Sequence, residues 1–202
     1  MRVALLTAVF AVWVVPGVAE LRLRAHPEGC GLKDRACPGS PVAAGEHAAC
    51  SFAITFSLPC SAVQEEIEMR IDLNKDRKKL PGNYTLITSE VGVCTKASRA
   101  TSPFADPGPF TDLFGFRYQS TPNNACHVVG CSESQVPSQC DFSTNFCNMY
   151  NLYCSEADGC SPVKHDLVPA SSSTEHFDQV CNHGSLCGGY ETVADECSRD
   201  GR

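Results

Sequence analysis

The sequence predicts a small disulfide-rich α+β protein, mainly β, in which a β lobe is crosslinked to a cysteine-dense lobe with one main helix. Three observations carry this reading. All 14 cysteines lie after an apolar leader. Two stretches in the first half alternate apolar and polar residues with period two. One stretch in the second half places its aromatics and thiols on a single helical arc.

Met1 to Ala19 reads as a signal peptide. Arg2 supplies the positive start, Val3 to Val15 is apolar but too short to span a bilayer, and Gly17-Val18-Ala19 offers small residues for cleavage before Glu20. Secretion puts the thiols in an oxidising compartment. The even count then allows seven bridges, with Cys30, Cys37, Cys50, Cys60 and Cys94 in the first half. Cys126, Cys131, Cys140, Cys147, Cys154, Cys160, Cys181, Cys187 and Cys197 lie in the second. Both halves hold an odd number, so at least one bridge must cross between them if every thiol pairs within the chain. No CxxC pair is present and the spacings fit neither zinc ribbons nor fingers.

Residues 20–95 form the expected β lobe. Phe52, Ile54, Phe56 and Leu58 alternate with Ala53, Thr55 and Ser57, and Ile67, Met69, Ile71 and Leu73 with Glu68, Arg70 and Asp72. Tyr84 to Cys94 is a third strand candidate, rich in β-branched residues. Asn74 to Gly82 is the polar loop between the second and third. Its opening, Asp72-Leu73-Asn74-Lys75-Asp76, spaces oxygens as a calcium loop does. Arg77 stands where that loop needs glycine and Asn83 where it needs a bidentate Glu, so a charged hairpin turn is expected instead. Asn83-Tyr84-Thr85 is a glycosylation sequon.

Residues 96–125 read as a connection rich in Pro, Ser and Phe. Phe104, Phe110, Phe114 and Phe116 are too apolar for a chain left in water and are expected in the seam between lobes. Residues 126–202 form the cysteine-rich lobe, with a helix at about 138–154. Ser138 and Asp141 have capping-box spacing. Phe142, Phe146, Cys147, Met149, Tyr150, Tyr153 and Cys154 fall on one arc, and Asp141, Thr144, Asn145, Asn148 and Asn151 on the other. Cys140, Cys147 and Cys154 lie along one line of the cylinder, positioned to be stapled to several neighbours. The arc is either core or, at Phe146, Met149, Tyr150 and Tyr153, the lining of a pocket for an apolar ligand.

Charge is lopsided. Residues 117–202 hold 4 Lys or Arg against 11 Asp or Glu, a net −7, which makes nucleic acid and anionic membranes poor partners. Catalytic motifs do not assemble from the sequence. Asn182-His183-Gly184-Ser185 and His165-Asp166 bring suitable residue types together, but neither forms the GxSxG elbow of a serine hydrolase.

Ser138-Gln139-Cys140, Asn148-Met149-Tyr150-Asn151-Leu152-Tyr153-Cys154 and Cys160-Ser161-Pro162 resemble the cysteine-laced helix of the luminal N-terminal domain of Niemann–Pick type C sterol transporters. Phe177 to Cys181, Leu186-Cys187-Gly188 and Cys197 keep a similar order. The resemblance is confined to residues 138–197 and implies capture of a sterol-like lipid. Cys147 stands where that family has no cysteine, and residues 20–125 match nothing in the domain.

The functional expectation is a secreted, disulfide-stabilised binding protein without catalytic activity or cofactor. Its partner would be an extracellular protein or a small apolar molecule. A structural or matrix role is the alternative, and a small secreted hydrolase the third reading. No transmembrane segment is expected once the signal is cleaved.

Overall fold

The computed structural model describes residues 47–75, 82–100, 110–136, 144–170, 180–181 and 197. These form a six-stranded antiparallel sheet with two helices. In chain order the elements are β1 (Ala49–Phe56), α1 (Cys60–Leu73), β2 (Asn83–Glu90), β3 (Cys94–Ala100), β4 (Thr111–Ser120), β5 (Cys126–Ser134), α2 (Thr144–Tyr153) and β6 (Val180–Cys181). The sheet order is β2-β3-β4-β5-β1-β6. Strands β2 to β5 are a meander, and β1 lies antiparallel on the far side of β5.

The expected fold class stands, with several elements reassigned. β1 is the strand that the 52–58 alternation predicts. The second alternating stretch is instead the C-terminal part of α1. The buried apolar residues of α1, Cys60, Val63, Ile67 and Ile71, recur at helical spacing. Met69 is half-buried and Leu73 37% exposed, so half of the supposed strand face is not in the core. Glu, Met and Arg favour helix over strand. Pro59 starts the helix with its carbonyl accepting from Ala62 and Val63 N–H at 3.0 and 3.1 Å. Asp76 lies outside the described residues, and where a hairpin turn is expected to open, Asp72 and Leu73 end the helix. Asn74 caps it, its side-chain amide donating to the Arg70 carbonyl at 2.7 Å.

Over its described residues the expected connection at 96–125 is largely strand. β3 and β4 occupy most of its described length, and Asn124, with φ 60°, makes the tight turn into β5. Phe114 and Phe116 alternate with Leu113, Gly115 and Arg117 and are fully buried. They sit under the helices, on the sheet face shared with Phe52, Ile54 and Phe56, rather than in a seam. Phe110 is half-buried, and Phe104 lies outside the described residues. The sheet thus draws strands from both sides of the boundaries at 95 and 126. The sequon is not in a loop, since Asn83 opens β2.

Disulfides join the parts. Cys60–Cys126 links the start of α1 to the start of β5 and crosses between the two halves, as parity predicts of at least one bridge. Cys147–Cys197 and Cys154–Cys160 fasten α2 to later parts of the chain. Cys50, Cys94 and Cys131 are also disulfide-bonded, and no described cysteine is free.

Aromatic packing sets the register of the core. Phe52 lies opposite Gly130 on β5 and makes an edge contact with Phe116 at 6.1 Å and a tilted one with Tyr153 at 4.6 Å. A Cβ on Gly130 would run into the Phe52 ring. Gly130→Ala is expected to cost about 1–3 kcal/mol in urea unfolding, because the ring has no free space to retreat into. A change below about 0.5 kcal/mol, the range of a neutral surface substitution, would show the core to be looser than this.

Candidate functional site

The aromatic arc of α2 is built into the core. Phe146, Met149 and Tyr153 are buried and Tyr150 is partly buried against them. Phe146 stacks on Tyr150 at 5.2 Å, and Tyr153 meets Phe52 and Phe56. Burial drives the Tyr153 hydroxyl well above the usual phenol range, so it remains neutral. The capping residues Ser138 and Asp141, with Cys140 and Phe142, lie outside the described residues.

The opposite arc of α2 is not a solvated face. Asn145 and Asn148 are fully buried and bond to the sheet. Asn148 Nδ2 donates to Asp112 Oδ2 at 2.8 Å and Ser132 Oγ at 3.3 Å. Ser132 Oγ donates to Asn145 Oδ1 at 2.6 Å, Asn145 Nδ2 to the Ala48 carbonyl at 3.0 Å, and Ser134 Oγ to Asp112 Oδ1 at 2.7 Å. Arg99 stands 3.6 Å from Asp112. This network specifies how α2 sits on β4 and β5, since buried polar groups must find partners.

A second buried carboxylate organises α1. Glu66 accepts from the backbone N–H groups of Val163, Lys164 and His165 at 2.8, 2.7 and 2.8 Å, and from Arg70 Nε at 2.6 Å. Arg70 Nη1 continues to the Cys154 carbonyl at 2.9 Å. Burial alone would raise the Glu66 pKa. The N–H groups of His165 and Val163, then Arg70 and Lys164, outweigh it and hold the carboxyl below its usual range.

With the 163–165 segment clamped in this way, the outer face of α1 becomes an open groove of about 340 Å³. Glu65, Glu68 and Asp72 line it with Met69, Leu73 and Val163. Glu65 bonds Lys164 Nζ at 2.6 Å and His165 Nε2 at 2.9 Å, and the bonds from Lys164 and then His165 lower its pKa. Glu68 Oε1 accepts from Gln64 Nε2, Ser89 Oγ and Thr95 Oγ1 at 2.9, 2.6 and 2.6 Å, which fixes its carboxylate toward β2 and β3. Tyr118, kept neutral by burial, donates to Thr95 Oγ1 at 3.0 Å. Asp72 is exposed at the groove's far end.

The pair His165-Asp166 does not assemble as a dyad. His165 faces Glu65, and Asp166 Oδ1 accepts the Glu156 N–H at 2.8 Å. His183 and Ser185 lie outside the described residues. No family model matches the chain, and no curated protein matches it. Among the described residues no helix is long and apolar enough to cross a membrane. Most of the groove residues were missed in sequence because 67–73 reads as a strand, although Gln64–Glu68 and Glu66–Arg70 are both i,i+4 pairs, a helical signal.

Proposed function

We infer that this is a secreted, disulfide-stabilised binding protein without catalytic activity, and that the α1 groove is where an extracellular protein docks. The observation that carries the reading is the lining of the groove: Met69, Leu73 and Val163 beside exposed Asp72, with Glu68 turned toward the sheet and Glu65 already paired with Lys164, and with the 163–165 backbone fixed by the Glu66 clamp. Apolar surface bordered by fixed charge is the usual composition of a recognition site. The partner surface that fits is cationic with apolar side chains.

The resemblance of residues 138–197 to the sterol-transporter domain would instead place an apolar small molecule against Phe146, Met149, Tyr150 and Tyr153. The contacts of Tyr153 with Phe52 and Phe56 support reading these residues as core.

Native mass spectrometry of the secreted protein tests the choice. A protein partner is expected on the wild type and lost, at least tenfold weaker, in Asp72→Lys and Leu73→Ser. Both residues are exposed, so their thermal midpoints are expected to stay near the wild type. A partner that survives both substitutions sinks the groove. A bound lipid in its place favours the pocket reading, and oligomers at modest concentration favour the structural role.

A further inference from the structure

Cys154–Cys160 differs from the other two bridges of α1 and α2. Cys60–Cys126 and Cys147–Cys197 span 66 and 50 residues and are buried at both ends. Cys154–Cys160 spans 6 residues, and Cys160 is partly exposed after the exposed turn at 156–159. A short loop gains least from being crosslinked. This one is also closed without its bridge. Asp158 Oδ2 accepts from the Ser155 N–H and Oγ at 2.9 and 2.6 Å, and the Cys160 N–H donates to the Ser155 carbonyl at 3.1 Å. Asp166 holds the Glu156 N–H, and Glu66 holds the backbone from Val163 to His165. The chain on both sides of Cys160 is therefore fixed by hydrogen bonds, and the bridge adds little to its placement.

The two sulfurs are also unlike each other. Cys154 is 1% exposed, and Arg70 Nη1 stands 3.7 Å from its Sγ. Arg70 is itself 4% exposed. Its Nε serves Glu66 and its Nη1 the Cys154 carbonyl, but among the described residues its Nη2 has no hydrogen-bond partner. The guanidinium thus has a donor to spare for an anion formed on Cys154. A thiol beside a cation is the better leaving group, and the accessible sulfur is the one attacked. We propose that Cys154–Cys160 is a thiol–disulfide exchange site for an external dithiol, attacked at Cys160 and releasing Cys154 as the thiolate.

The dithiol enters with one of its thiols ionised. That thiolate attacks Cys160 Sγ, the bond between the two cysteine sulfurs breaks, and its electron pair goes to Cys154 Sγ beside Arg70. A mixed disulfide now joins the dithiol to Cys160. The second thiol of the dithiol attacks the sulfur that made this link, and Cys160 leaves and takes up the proton of that second thiol. The bridge has gained two electrons and the dithiol has become a disulfide. Because the hydrogen bonds of residues 155–160 keep the two cysteines close, the reverse exchange recloses the bridge.

The test uses the full, folded chain with dithiothreitol and glutathione as probes. Samples are quenched with acid, alkylated in denaturant and mapped by peptide mass, so that buried and exposed thiols are read alike. Cys154 and Cys160 are expected to be labelled at about tenfold less dithiothreitol than Cys60, Cys126, Cys147 and Cys197. Urea below the unfolding transition is expected to leave this opening rate flat while it speeds the opening of the two buried bridges, which require unfolding. Glutathione is expected to be trapped on Cys160 and not on Cys154. Cys154→Ala with Cys160→Ala is expected to keep a cooperative thermal transition. The proposal is overturned if the Cys154–Cys160 bridge opens only in step with the other two as urea rises, or if the double variant fails to fold. A glutathione adduct on Cys154, or on both cysteines equally, overturns it as well, since Arg70 would then not direct the exchange.

Discussion

Glu66→Ala is expected to lower the unfolding free energy by about 3–5 kcal/mol at neutral pH, a large share of the roughly 5–15 kcal/mol available to a domain. The side chain is fully buried, and its removal strands four donors at once: three backbone N–H groups and Arg70 Nε. Arg70, 4% exposed, would keep its charge with only carbonyl partners such as that of Cys154. Glu66→Gln keeps the shape and one acceptor oxygen but turns two donors toward the same N–H groups, so it is expected to recover only part of the loss. The pH dependence has a definite sign. The folded pKa lies below the unfolded one, so the stabilisation is fully present above the unfolded value, near 4.5, and is lost as pH falls through the folded value. Urea unfolding of wild type and Glu66→Gln at pH 7 and pH 3 checks this. The two curves should approach each other at the lower pH. An undiminished gap would mean that Glu66 contributes through shape alone.

The same residue shows how far the sequence could be read. Strand β1 was legible because its even positions, Phe52, Ile54 and Phe56, are apolar and buried while its odd positions are small or polar. Helix α1 was not, because burying Glu66 and Arg70 breaks the rule that charge marks the outer face. With Glu68 and Asp72 it produces an alternation that looks like strand. Phe114, Phe116 and Tyr118 did carry period two within the supposed connection. Thr111, Gln119 and Ser120 at the ends of β4, and the Ser, Thr and Pro around it, hid that signal under composition. The helix at 144–153 was legible in its apolar arc but not in its polar one. Asn145 and Asn148 look solvated until β4 and β5 supply Asp112, Ser132 and Ser134, which lie far away in sequence. The groove was illegible for a related reason. Val163 is held at α1 by its N–H bond to Glu66, and no local pattern announces a contact between residue 66 and the 163–165 backbone.

Asp112→Ala is expected to cost about 3–5 kcal/mol, because Asp112 is the carboxylate that gathers the buried network between α2 and the sheet. It is 1% exposed and accepts from Asn148 Nδ2 and Ser134 Oγ, with Arg99 3.6 Å away. Asp112→Asn retains the volume and one acceptor, so its cost should be smaller, about 1–3 kcal/mol. The network also predicts non-additivity. Asp112 and Asn145 do not touch in the bonds that define it, yet they share Ser134, which donates to Asp112 at 2.7 Å and lies 3.5 Å from Asn145 Nδ2. They also meet through Ser132 and Asn148. Once Asp112 is gone, Ser132 and Ser134 can turn to other partners, and Asn145 loses part of what it was holding. In a double-mutant cycle of Asp112→Ala and Asn145→Ala, the combined loss should fall short of the sum by about 0.5–3 kcal/mol. Strict additivity would mean that each side chain acts on the fold alone, and that α2 is seated by its aromatic arc and its disulfides without help from its asparagines.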